Sequence, residues 1–81
     1  MRILIAEDDD ALSEALRFAL ERAGYAVDRV ASGTNADDAL KDDVFNLVIL
    51  DLGLPGLDGL EVLRRLRRRN RTARLQHGGA R

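Results

Sequence analysis

The stretch LVILDLGLPGLDGLEVLRRLR, residues 47–67, decides the fold. Leu47 to Leu50 are apolar without alternation, which suggests a strand buried on both faces and hence a central parallel strand. Asp51 ends that run. LGLPGLDG then reads as a loop, with Pro55-Gly56 as its turn signal. Asp58 caps a helix beginning near Gly59 or Leu60, and Leu60, Leu63 and Leu66 make its apolar stripe.

Upstream, the same alternation of strand and helix repeats. RILIA (residues 2–6) is a short apolar run ending in acids and reads as a buried strand. In the next segment Leu12, Ala15, Leu16, Ala19, Leu20 and Ala23 fall at helical spacing on one face. Glu14, Arg17, Glu21 and Arg22 mostly take the other. Asp9 or Asp10 caps this helix, and Gly24 stops it. Tyr25 to Ala31 reads as a second strand. SGTNADDALKDD is a short helix capped by Ser32 or Thr34, with Ala36, Ala39 and Leu40 inward. Phe45 to Asp51 is the third strand.

The order β-α-β-α-β-α predicts an α/β fold: a parallel sheet, right-handed crossovers and helices on both faces. Ligands of such sheets bind beyond the carboxyl ends of the strands. Glu7, Asp8 and Asp51 each follow a strand, so they should meet at one edge.

Length and composition narrow the classes. With 81 residues the chain is one domain, and such a domain buries only about 60–65% of its unfolded surface. It has no cysteine, which removes disulfides and thiolate metal sites. No apolar run approaches the ~20 residues of a membrane helix. The opening MRILIAEDDD turns acidic too early for a signal peptide, so the expectation is a cytoplasmic protein with no membrane partner. Residues 1–63 carry all 14 acids, whereas residues 64–81 carry eight arginines and no acid. The arginines read as a solvated helix face and tail that suit the C-terminal helix dipole. As a nucleic-acid patch they have charge but no aromatic or base-reading motif. His77 lies in the unpatterned tail and reads as solvated rather than as a ligand.

Three acids converging at strand ends repel one another, and a cation is the physical expectation. Oxygen-only ligands favour a hard ion, Mg²⁺ over zinc. Mg²⁺ takes one or two carboxylates, keeps waters and leaves room for a phosphoryl oxygen. A carboxylate can also be a nucleophile that forms an aspartyl-phosphate. Asp51 is the candidate, because its glycine-rich loop lets a substrate approach closely, and Gly53 can offer a backbone carbonyl to the metal. The plain alternatives are that EDDD is only a helix cap and that Asp51 is only a turn residue. The two groups occurring together favour the functional reading. No glycine-rich loop with a lysine is present, which argues against a nucleotide triphosphatase.

ILIAEDD and LVILDLGLPGLDGLEVLRRLR together resemble the receiver domain of bacterial two-component response regulators, particularly the OmpR/PhoB type. The likeness covers residues 1–70 and leaves 71–81 as a basic tail, disordered or rearranged. It implies that Asp51 is the phosphoacceptor, that Asp8 is a direct Mg²⁺ ligand, that Glu7 assists through water, and that Gly53 supplies a carbonyl. Pro55, Gly56 and Gly59 fall in the family's loop. It also implies a partner sensor histidine kinase whose phosphohistidine donates the phosphoryl group, and a flavodoxin-like sheet of order 2-1-3-4-5. The resemblance also implies a signalling module rather than an enzyme, whose full-length relative would be a DNA-binding transcription regulator.

The sequence departs from the family after the third helix. The family has a fourth strand ending in Ser or Thr and a fifth ending in Lys, which bind the phosphoryl group. Here the one lysine, Lys41, lies near the second helix, and RLQHGGAR stands where the fourth strand should be. The expectation is a partial, truncated receiver, natural or artificial, with sheet order 2-1-3 and neither the fourth nor the fifth βα unit. It would bind no DNA itself and its phosphorylation would be impaired. An open third strand is a pairing template, so the competing reading is a self-associating fragment, a dimer or a domain-swapped oligomer, without phosphotransfer. A small Mg²⁺-dependent phosphatase is the third reading. It is disfavoured because Gly53 stands where a general acid would follow Asp51.

Overall fold

A computed structural model describes residues 1–42 and 44–69. The elements run β1 (Arg2–Ala6), α1 (Asp10–Arg22), β2 (Ala26–Val30), α2 (Gly33–Ala39), β3 (Leu47–Leu50) and α3 (Gly59–Arg69). Both strand pairs are parallel and the sheet order is β2-β1-β3. The central strand among the described residues is therefore β1, with Ile5 opposite Arg29 on one side and Ile49 on the other. The predicted α/β class and the 2-1-3 order hold. The expected tail (71–81) and His77 lie outside the described residues.

Alternation along β1 splits the core in two. Leu4 and Ala6 join Val48, Leu50, Leu54, Ala36, Leu40, Val62, Leu63 and Leu66 under α2 and α3. Ile3, Ile5 and Val27 form the smaller core on the other face, with Leu16, Leu20, Leu47 and Ile49 packed half-buried against it. Leu47 and Ile49 are thus not buried as the unbroken apolar run predicted. Only α1 covers that face among the described residues, and it packs closest to β2, away from β3. The free side of β3 is an edge among the described residues. The Asp51 N–H donates to the Ala6 carbonyl at 3.0 Å, so by strand alternation Val48 and Leu50 aim main-chain groups toward the other side.

Local chemistry explains the helix limits. Asp9, rather than Asp10, caps α1, its carboxylate accepting the Leu12 N–H at 3.0 Å. At the other end the Tyr25 N–H reaches the Leu20 carbonyl and the Gly24 N–H reaches that of Glu21, a Schellman closure that turns the chain into β2. Tyr25 lies in this turn and Ala31 follows the strand, so β2 is shorter than predicted. Ser32, not Thr34, caps α2, accepting the Asn35 N–H at 3.1 Å. Phe45 and Asn46 precede β3; the Asn46 side chain and N–H tie to the two main-chain groups of Arg2.

Two helix faces are rotated from their predicted positions. On α1 the inward residues are Ser13, Leu16 and Leu20, whereas Ala15, Ala19 and Ala23 are exposed. On α3 they are Gly59, Val62, Leu63 and Leu66. Leu60 stands about 110° from the centre of that face at ~100° per residue, and it is exposed. No helix among the described residues is long and apolar enough to cross a membrane.

Candidate functional site

Each acid reaches the site because its strand stops there. β1 ends at Ala6, but the ladder runs one residue further: the Glu7 N–H donates to the Val30 carbonyl at 3.1 Å. β3 ends at Leu50, and Asp51 is held by its N–H on Ala6. Parallel neighbours in register end together, so the two chain ends emerge side by side at the carboxyl edge. Glu7, Asp8 and Asp51 each offer a carboxylate oxygen there, all within 4.8 Å of one another. Glu7 is 2% exposed and Asp51 0%, whereas Asp8 faces solvent.

This crowding has an electrostatic signature. Burial first, and then the hydrogen bond and charge of Asp51 with a contribution from Asp8, push the Glu7 carboxyl above its ordinary value. The Asp9 N–H, 3.3 Å from Glu7 Oε2, opposes that rise. Hard carboxylate oxygens gathered this tightly, with one residue open to water, suit a small oxygen-loving dication that relieves their repulsion. Chemically the three acids fit Mg²⁺, with Asp8 on the solvent side. Sequence reasoning placed all three correctly at one edge.

The loop after Asp51 is built by close backbone approaches. The Gly53 N–H donates to Asp51 Oδ1 at 2.9 Å, which orients the carboxylate of Asp51. Pro55 and Gly56 make the turn, Gly56 in the left-handed region at φ 77°. The Asp58 carboxylate accepts the Leu60 N–H at 3.1 Å and its carbonyl accepts that of Val62 at 3.0 Å, which starts α3. Gly59 backs onto Asp51 itself: a Cβ there would stand 2.7 Å from the Asp51 carbonyl oxygen. Glycine at this position therefore lets α3 begin directly under the acid.

Three residues of this neighbourhood escaped the sequence reading. Gly33, at the start of α2, donates its N–H to the Pro55 carbonyl at 3.0 Å, and a Cβ on it would collide with the Leu57 carbonyl. Arg29 at the end of β2 donates through Nε and Nη2 to the Glu7 carbonyl at 3.0 and 2.9 Å, and through Nη2 to Asp10 Oδ1 at 2.9 Å. Asp37 on α2 is buried and accepts from Arg65 at 3.2 Å and Arg69 at 3.4 Å. The arginine run is therefore partly engaged: Glu61 also takes Arg64, Arg65 and Arg68. A glycine following a serine cap, and an arginine in a strand, carry no pattern that announces these roles.

Residues 3–76 match the response regulator receiver domain family. Response regulator protein PmrA of Pseudomonas aeruginosa is 47% identical over 55 residues, 68% of this chain and 25% of that protein. The phosphate regulon transcriptional regulatory protein PhoB of Rhizobium meliloti is 45% identical over 74 residues, 91% of this chain and 33% of that protein. This chain spans about a quarter to a third of the length of these curated relatives. Among solved structures, the non-phosphorylated HemR receiver domain of Leptospira biflexa superposes with a TM-score of 0.82 at 32% identity, covering 88% of this chain and 57% of that one. TrrA of Thermotoga maritima, solved in complex with Mg(2+)-BeF, gives 0.76 at 35% identity over 91% of this chain and 64% of that one. TrrA in complex with histidine kinase ThkA gives 0.81 at 34% identity, with the same coverage. These neighbours share a flavodoxin-like fold, of which the described residues form the 2-1-3 portion.

Proposed function

The chain belongs to the response regulator receiver domain family, and from that premise we propose that Asp51 is a phosphoacceptor working with Mg²⁺ in two-component signalling. The observation that carries this reading is the convergence of the Glu7, Asp8 and Asp51 carboxylates within 4.8 Å, beside the glycine loop. Asp8 and Asp51 would hold the ion directly, Glu7 would act through water, and Gly53 would add its carbonyl. Mg²⁺ supplies positive charge against the oxygens of the transferring phosphoryl group. TrrA, a family relative, is solved with Mg(2+)-BeF, which supports that assignment.

The donor is a phosphohistidine of a sensor histidine kinase, as the complex of TrrA with ThkA suggests by analogy. A carboxylate oxygen of Asp51 attacks phosphorus, the P–N bond breaks, and the imidazole keeps the electron pair and takes a proton from water. The Gly53 N–H on Asp51 Oδ1 orients the carboxylate for that attack. The chain receives the group rather than turning over a substrate. Curated relatives are named transcriptional regulatory proteins, and a cytoplasmic regulator of that kind is the context this reading assigns to the chain. Incubation with acetyl phosphate and Mg²⁺ should add one phosphoryl group, about 80 Da by intact mass, and EDTA should prevent it. A chain that stays at its starting mass under saturating acetyl phosphate refutes the assignment.

A second reading rests on the free side of β3. Val48 and Leu50 aim main-chain groups toward that edge, beside half-buried Leu47 and Ile49. Such an edge is a template for strand pairing, and the occupant it fits is a second copy of this chain. A monomeric mass by light scattering at tens of micromolar removes this reading.

A further inference from the structure

We infer that Arg29 is a positioning residue: its guanidinium, forked onto the Glu7 carbonyl and paired with Asp10, holds the β1–α1 corner in the arrangement that receives a divalent cation. This rests on the Mg²⁺ reading of Glu7, Asp8 and Asp51 given above. Arg29 lies opposite Ile5, whose side chain belongs to the α1-side core, so the arginine leaves β2 on that side and reaches forward past the strand ends. It is partly buried, at 21% side-chain exposure.

The grip acts on a particular peptide. The carbonyl of Glu7 and the N–H of Asp8 belong to one rigid plane. Two donors on the Glu7 oxygen therefore set the direction in which the chain enters Asp8, and with it where the Asp8 carboxylate points. The Glu7 N–H is already held by Val30, so β2 fixes Glu7 through both main-chain groups. The pair with Asp10, in the first turn of α1, ties the same fork to the helix. One side chain thus fastens the strand end, the turn and the helix start around the two acids. A lysine keeps the charge but is a single point without the planar fork.

The opposite reading makes Arg29 a mere counter-charge. A cation near the site would then repel Mg²⁺, and its removal would tighten binding. Asp10 already balances the Arg29 charge, so the effect on geometry should win. Mg²⁺ titration by calorimetry on the full chain separates the two. We expect Arg29→Lys and Arg29→Met each to weaken Mg²⁺ by about tenfold, the cost of losing a group that orients a ligand from behind. Cooperative melting in EDTA should persist in Arg29→Lys, and its amide signals for Glu7 to Asp10 should shift before any metal is added. Asp10→Asn, which keeps the fork on Glu7, should lose less. Wild-type affinity in Arg29→Lys, tighter binding in Arg29→Met, or loss of cooperative melting in both would overturn the inference. Absence of Mg²⁺ binding by the wild-type chain instead sinks the metal reading on which it rests.

Discussion

Two groups of buried acids in this chain are handled in opposite ways. Asp37, at 7% exposure, sits under α3 and takes Arg65 and Arg69 as partners. Glu7 and Asp51, at 2% and 0%, are brought together with a third acid, Asp8. Burial of a carboxylate costs free energy unless charge or hydrogen bonds offset it. At Asp37 the offset is internal, and the result is a clasp between α2 and α3. At the carboxyl edge the acids are gathered against their own repulsion, which is the arrangement expected where the counter-charge arrives from solution.

Exchanging the two kinds of acid tests that contrast, and the largest effect should come first. Asp51→Asn should abolish the mass gain from acetyl phosphate and Mg²⁺ completely, while Asp37→Asn leaves it intact. If both variants gain or both fail, the division between them is false.

Glu7→Gln should act in two directions. Mg²⁺ affinity, measured by calorimetry, should fall, because the proposed site loses one of its three carboxylates. Stability in EDTA at neutral pH should rise. The sign follows from the raised folded value of Glu7: its favourable contribution is present below the ordinary value near 4.5 and is lost as pH rises through the folded one. At neutral pH the ionised form is a burden that the amide removes. Urea midpoints between acid and neutral pH should therefore converge for wild type and variant on the acid side and separate above it.

Asp37→Ala should cost about 1 kcal/mol, read as a shift in urea midpoint at unchanged slope. The figure is modest because both arginine partners remain partly exposed, at 40% and 36%, and rehydrate when the acid is gone. A loss several times larger would mean that the clasp, not the apolar core, holds α2 to α3.

The smallest effect is at Glu61. Its hydrogen bond with Arg65 is the main reason its carboxyl lies below the ordinary value, with Arg64 adding to it. A lowered folded value adds stability above the ordinary value, and that contribution disappears as pH falls through the folded one. Glu61→Gln should flatten the acid side of the stability profile slightly, because the ion pairs are exposed.

The same contrast tells how much could be read in advance. The acids at the carboxyl edge were legible because each follows its own apolar run, and parallel order brings strand ends together. Asp37 was not, since its partners lie 28 and 32 residues away on another helix. Arg29 reaches Glu7 across 22 residues, and the arginine gives no local hint of that carbonyl. Leu60 was misplaced because three leucines at helical spacing suggested a stripe, yet the stripe that packs is centred on Val62, Leu63 and Leu66.

The sequence by itself determined the succession of strands and helices, the cap at Asp58, the pairs of residues from which the caps of α1 and α2 are drawn, and the three acids of the site. These depend on spacing and on neighbours within a few residues, where period and capping chemistry act. Only the tertiary structure decided that Gly33 must lack a side chain beneath Leu57, that Arg29 grips the Glu7 peptide, and that Leu47 and Ile49 stay half-covered. An apolar period says which residues share a face. What covers that face, and which distant charge meets a buried one, is set by the crossovers that fold the chain back on itself.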